Sequence, residues 1–244
     1  MPIDLTQFET GAQDAVKLFW GNRSAAVEQQ QVLGSIDTGT RGAVTSGKNM
    51  DGFATLMAKL VEDNGLPSST VEYSSRLVTL PGFFRPTKQW DLLVVNEGRL
   101  IAALEFKSQV GSFGNNFNNR TEEAIGTAHD LWTAYREGAF GEHPKPFVGW
   151  LMLLEDAPGS RRPVKDRSPH FPVFSDFQDS SYADRYNHLC KKLAQENLYT
   201  AATIMLSPQS AGQTGEYTNM SELTSLQTFI TTFAGHIAAE AARI

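Results

Sequence analysis

Residues 147 to 154 read Phe-Val-Gly-Trp-Leu-Met-Leu-Leu, a nearly continuous apolar run. A strand with one wet face alternates apolar and polar residues, so such a run reads as a strand covered on both sides. Covering it takes a layer above and a layer below. The expected fold class is therefore α/β, a central mixed β-sheet flanked by helices.

The remaining chain supplies those layers. Phe8, Ala12, Ala15, Leu18, Phe19 and Val27 recur at helical spacing between Leu5 and Val32, which predicts one or two helices. Gly34 to Gly47 reads as a loop. Asp51 is placed to cap a helix running to Asn64, with Phe53, Leu56, Met57, Leu60 and Val61 buried and Gly65 ending it. Residues 70–80 read as a strand, followed by Trp90 to Val95 and Leu100 to Lys107 as a hairpin joined across Asn96, Glu97, Gly98 and Arg99. A polar loop, Gly114 to Asn119, precedes a helix from about Thr121 to Glu137. Beyond the apolar run we expect a helix near 182–197, a short strand near 200–206 and a last helix from about Ser221 to Ala242. Its Leu223, Leu226, Phe229, Ile230, Phe233 and Ile237 suit the core better than a subunit interface.

Composition narrows the classes. With 244 residues, 41% of them hydrophobic, residues 1–244 are expected to form one domain, its core at about 51–154 with N-terminal helical and C-terminal extensions. No run approaches the roughly 18 apolar residues of a membrane span, and Met1 to Thr6 lacks the pattern of a secretion signal. One cysteine, Cys190, cannot form an internal disulfide and reads as a buried small apolar residue, which fits a cytoplasmic location. A net charge of −6 excludes a polybasic sheath that binds any nucleic acid by counterion release. Binding DNA then requires local patches. Arg161, Arg162, Lys165 and Arg167 around Asp166 form one, although a solvated loop would look the same.

Asp91, Glu105 and Lys107 carry the chemistry. Alternate strand residues share a face, so Glu105 and Lys107 project together while Leu104 and Phe106 point to the opposite side. Two carboxylates and a lysine are the minimal kit for phosphodiester hydrolysis: a divalent cation polarises the phosphate and lowers the pKa of a water, and a cationic group orients that water or meets developing charge. The triplet alone is weak, since about one acid-x-Lys is expected by chance in a chain with 27 acids. Context strengthens it. Asp91 lies in the preceding strand between Trp90 and Leu92, where an unpaired buried acid would cost several kcal/mol. Asp91 shares a face with Glu105 only if odd positions pair with odd, so the hairpin must contain an odd loop or a bulge.

The pattern Asp91-x13-Glu105-x-Lys107, in helix, strand, strand, strand, helix, strand order, resembles the PD-(D/E)xK nuclease superfamily, with Trp90 where that name expects proline. The stretches FRPTKQWDLLV (84–94), LEFKSQVG (104–111), FGNNFNNRTEEAIG (113–126) and GKNMDGF (47–53) resemble the XhoI family of type II restriction endonucleases. That resemblance implies a PD-(D/E)xK restriction-endonuclease-like core and a homodimer that cuts double-stranded DNA at the palindrome CTCGAG. It implies a cognate DNA methyltransferase protecting the host. It also implies Mg²⁺ held by Asp91 and Glu105 with the carbonyl of Phe106, and Lys107 orienting water or stabilising charge. An acid from the preceding helix often completes such sites, and Asp51 and Glu62 are both candidates. Asn115, Asn116, Asn118, Asn119 and Arg120, just after the catalytic strand, are candidate base or phosphate contacts, as are Lys48 and Asn49.

Other readings fit less well. Gly42 to Asn49 nearly matches a phosphate-binding loop, but Asn49 stands where a magnesium-binding hydroxyl is required and no buried strand precedes it. The histidines at 129, 143, 170, 188 and 236 lack zinc-ligand spacing, and no Gly-x-Ser-x-Gly elbow is present. A non-catalytic DNA-binding module on the same fold is the alternative from another class, and a repair or structure-specific nuclease the alternative within it.

Overall fold

The computed structural model describes residues 3–32, 47–74 and 76–243. The expected loop from Gly34 and most of the phosphate-loop-like stretch lie outside them. Helix α1 (Phe8–Val32) is one continuous helix, and α2 (Asp51–Asp63) buries the five apolar residues expected of it. Asp51 does not cap α2. A 3₁₀ turn over Gly47–Met50 runs straight into the helix, Met50 occupies the cap position, and the Asp51 carbonyl accepts a hydrogen bond from Thr55 Oγ1.

A six-stranded sheet runs in the order β1 (Val71–Glu72), β4 (Leu92–Asn96), β5 (Arg99–Gln109), β6 (Phe147–Glu155), β7 (Ala201–Ser207), β8 (Thr218–Asn219). β5, β6 and β7 are parallel neighbours, whereas β1, β4 and β8 pair antiparallel, so the sheet is mixed. Between β1 and β4 lies a separate two-stranded hairpin, β2 (Thr79–Pro81) and β3 (Thr87–Gln89). The single strand expected over 70–80 is thus two short ones. The Ser74 carbonyl accepts the amides of Leu77 and Val78, closing a turn in the middle of that segment.

β6 sits at the centre and explains its own composition. Phe147, Leu151 and Leu153 enter the core formed with α1, α2 and α5 (Leu226–Ala241), where Phe19, Phe53, Phe229 and Phe233 pack. Val148, Trp150, Met152 and Leu154 enter the opposite core, formed with α3 (Phe113–Arg136) and α4 (Tyr182–Gln195). Alternate residues therefore face two apolar layers, and neither face needs polar side chains. Gly149 is small because a Cβ there would meet Leu104, Phe147 and Phe229 side chains at 2.6 to 2.8 Å.

Cys190 is fully buried on α4, and burial pushes its thiol up, as expected of a packing residue. The last helix buries Leu226, Phe229, Ile230, Phe233 and Ile237 in the core, but Leu223 precedes it and is exposed. α3 begins eight residues before the expected Thr121, so Gly114 to Asn119 is helix and not loop. Glycine and asparagine disfavour helix, yet Phe113 and Phe117, one turn apart, pack their rings on Tyr182 and Tyr186 of α4 and hold the first turns in place. No helix among the described residues is long and apolar enough to cross a membrane.

Candidate active site

The hairpin between β4 and β5 sets the geometry. Glu97 and Gly98 form its two-residue turn with φ of 50° and 77°, pairing Asn96 with Arg99 and Val95 with Leu100. Continued unbroken, that register would place Asp91 opposite Leu104 and aim it away from Glu105. A bulge at Ile101 intervenes: Val94 pairs with Ala102 and Leu92 with Leu104. The extra residue restores odd-with-odd pairing, as the sequence required, and brings Asp91 beside Glu105 in the carboxyl-terminal half of β5. The Asp91 amide donates to the Leu104 carbonyl at 3.1 Å, and its Oδ2 accepts the Phe106 amide at 2.7 Å.

Glu105 is the centre of the cluster and only 4% exposed. Its Oε1 pairs with Lys107, and its Oε2 lies 2.8 Å from Lys88 Nζ on β3, an ion pair in which Oε2 accepts no hydrogen bond. Lys88 also sits over the Trp90 ring at 5.2 Å. Burial pushes the Glu105 carboxyl up, but Lys107 and Lys88 outweigh it and hold the group below the usual carboxylate range. Burial likewise lowers the Lys107 ammonium, and Glu105 more than reverses the effect, so the lysine stays protonated above its ordinary range. The acid left exposed is Asp91, which corrects the expectation that it is the buried one. Although the residue as a whole is exposed, its carboxylate is turned in to the Phe106 amide, and desolvation there, then the charge of Glu105, raise its pKa against that amide and both lysines.

Two clefts border the cluster. One of about 780 Å³ is lined by Glu105, Lys107, Lys88, Phe84, Arg85 and residues of α3 including Glu122, Glu123 and Asp130. Another, of about 560 Å³, is lined by Asp91, Phe106 and, from α2, Asp51. Of the two helix acids considered, Asp51 faces the site and Glu62 does not line it. Among the described residues no three His, Cys, Asp or Glu side chains converge as a ready metal cage. Two hard carboxylates with room for water are nonetheless the donor set Mg²⁺ accepts, since it keeps several waters and binds few protein ligands.

The other candidates are spread more widely. Asn115, Asn118 and Asn119 are exposed on the first turns of α3, Asn116 donates to the Ser112 carbonyl, and Arg120 pairs with Glu123 at 2.7 Å. Asn49 is buried, 4% exposed, and offers little surface to DNA. The Lys48 side chain lies outside the described residues. In the basic loop Arg161 is held bidentately by Asp156, Asp166 pairs with Arg185, and Arg162, Lys165 and Arg167 are exposed.

Sequence reasoning missed Lys88, Arg85 and Asp130. Asp130 accepts the amides of Phe83 and Phe84 and the Arg85 Nε, each at 2.8 Å, across some 46 positions of chain that no local pattern links.

The family described as restriction endonuclease XhoI matches residues 29–219. The chain belongs to that family. It is 60% identical over 172 residues to the type II restriction enzyme AbrI of Azospirillum brasilense, covering 70% of this chain and 77% of that one. It is 49% identical over 210 residues to XhoI of Xanthomonas vasicola, covering 85% and 84%. It is 46% identical over 214 residues to BstVI of Geobacillus stearothermophilus, covering 85% and 95%. No solved structure matches. As a member of this family the chain is a type II restriction endonuclease, a site-specific deoxyribonuclease.

Proposed function

We propose that the enzyme hydrolyses phosphodiester bonds of duplex DNA at CTCGAG with Mg²⁺, through Asp91, Glu105 and Lys107. The observation that carries this reading is the bulge-set register that brings Asp91 to the same side of the hairpin as Glu105 and Lys107. Asp91 and Glu105, with the Phe106 carbonyl, would hold the metal, which supplies charge to the phosphate and lowers the pKa of a water. Lys107 contributes a fixed positive charge beside the scissile phosphate and a donor that orients the attacking water. Lys88 balances Glu105 from the other side, and loading a cation requires at least one of the two ammonium groups to give up its carboxylate oxygen.

In this reading Asn115, Asn118 and Asn119, exposed at the start of α3, meet base edges or phosphates, with Arg120, Asn116 and Lys48 as further contacts. The CTCGAG assignment, the homodimer, the cytoplasmic location and the protecting methyltransferase rest on the XhoI resemblance. A palindromic site accords with two-fold symmetry of the protein. Retention of both acids and the lysine favours an enzyme over a non-cleaving module. The test is to digest a library of random duplexes with the purified protein and Mg²⁺ and sequence the ends. Ends confined to CTCGAG support the proposal; ends at another hexamer contradict the specificity, and intact DNA contradicts the chemistry.

A further inference from the structure

The tip of the β2–β3 hairpin, Gly82 to Pro86, borders the cleft that holds Glu105 and Lys107. Its Phe83 and Phe84 are 52% and 66% exposed, a large apolar surface for a folded protein to leave in water. They are also fixed in place. Asp130, buried on α3, takes up both of their amides and the Arg85 guanidinium, whose second nitrogen reaches Thr127 Oγ1. Gly82 is pressed so close that a Cβ would lie 2.6 Å from Asp130 Oδ2 and 2.7 Å from the Arg85 carbonyl. The Phe84 ring stacks on His129 at 5.5 Å and meets Phe83 edge-on. A buried carboxylate with three donors from one surface turn makes a rigid mount for two exposed rings.

We propose that this turn is an aromatic wedge for duplex DNA, with Phe83 and Phe84 packing on base or deoxyribose faces beside the phosphate served by Glu105 and Lys107, and Asp130 as its positioning residue. The inference rests on the reading of Glu105 and Lys107 as the reactive centre. Continuity with the reactive centre makes DNA the occupant: Phe84 and Arg85 line the same cleft as Glu105 and Lys107, so a duplex whose phosphate reaches Lys107 must pass the hairpin tip. Wedges of this kind partly unstack a base step and fix the duplex against the site.

The test uses a duplex carrying the sequence the wild type cuts, with 2-aminopurine at successive positions around the cut, and Ca²⁺ in place of Mg²⁺ so that binding is read without cleavage. Wild type is expected to raise the fluorescence at one or two steps beside the cut. Phe84→Ala and the double variant with Phe83→Ala are expected to lose that signal and bind about ten-fold or more weakly, with unchanged melting and unchanged association state. Phe84→Trp should keep the signal. Asp130→Ala, which retains both rings but removes the acceptor of the Phe83 and Phe84 amides, should lose the signal and raise KM for cleavage more than it lowers kcat. Alanine variants that bind and fluoresce like wild type would overturn the wedge while leaving the nuclease reading intact. A change confined to subunit association would overturn it in favour of a protein interface. Wild type that neither binds nor cuts the duplex would overturn both readings.

Discussion

Replacing Glu105 with alanine removes the carboxylate that pairs with two largely sequestered ammonium groups, Lys88 at 18% and Lys107 at 21% side-chain exposure. At 2.8 Å and an effective dielectric near 20, the attraction between Glu105 and Lys88 alone is about 6 kcal/mol. Desolvation of the charges offsets much of it, but the variant also leaves two like charges facing each other. Breaking a buried pair from one side costs roughly 3 to 5 kcal/mol, and we expect about 3 kcal/mol because both lysines can turn toward water. Urea unfolding in EDTA measures this as a lowered midpoint. Adding Lys88→Met to Glu105→Ala should recover part of the loss, since one stranded ammonium is gone, and Mg²⁺ should stabilise wild type but neither variant. A Glu105→Ala midpoint in EDTA equal to or above wild type would refute the reasoning, showing that the lysines do not depend on this carboxylate.

Gly52→Ala should destabilise, because its Cβ would lie 2.7 Å from the Ala15 backbone where α1 crosses α2; thermal melting should fall, whereas Gly126→Ala, with open space around it, should melt like wild type or higher. Phe229→Ala empties a fully enclosed place against Phe147 and should cost about 3 to 5 kcal/mol in denaturant unfolding. Burial pushes the Asp130 carboxyl up, but the Phe84 and Phe83 amides and Arg85 outweigh it and depress its folded-state pKa. Its contribution is therefore complete above the unfolded value of about 4 and is lost as pH falls through the lower folded value, so the stability gap between wild type and Asp130→Asn should close on acidification.

Much of the layer plan was legible because it rests on periodicity. The doubly apolar run of β6 demanded two covering layers, and the five buried positions of α2 follow a 3.6-residue repeat. The convergence of Asp91, Glu105 and Lys107 was legible for a related reason: parity along two strands is a geometric constraint, and it required an irregularity that Ile101 supplies. What stayed hidden depends on contacts distant in sequence. The Asn-rich start of α3 is helical only because Phe113 and Phe117 meet α4 some 65 to 70 positions later. Lys88 joins Glu105, and Asp130 joins Phe83 to Arg85, through pairings that no local spacing announces. The exposure of Asp91 was missed because the strand was expected to begin at Trp90, whereas β4 begins at Leu92 and leaves the acid just outside its first ladder pair.

The most direct measurement is digestion of a plasmid with a single CTCGAG, comparing wild type with Glu105→Ala in Mg²⁺ and in EDTA. Wild type in Mg²⁺ should give full-length linear DNA, and the other three reactions should leave the plasmid uncut. Linear product from Glu105→Ala, or from wild type in EDTA, would contradict this mechanism.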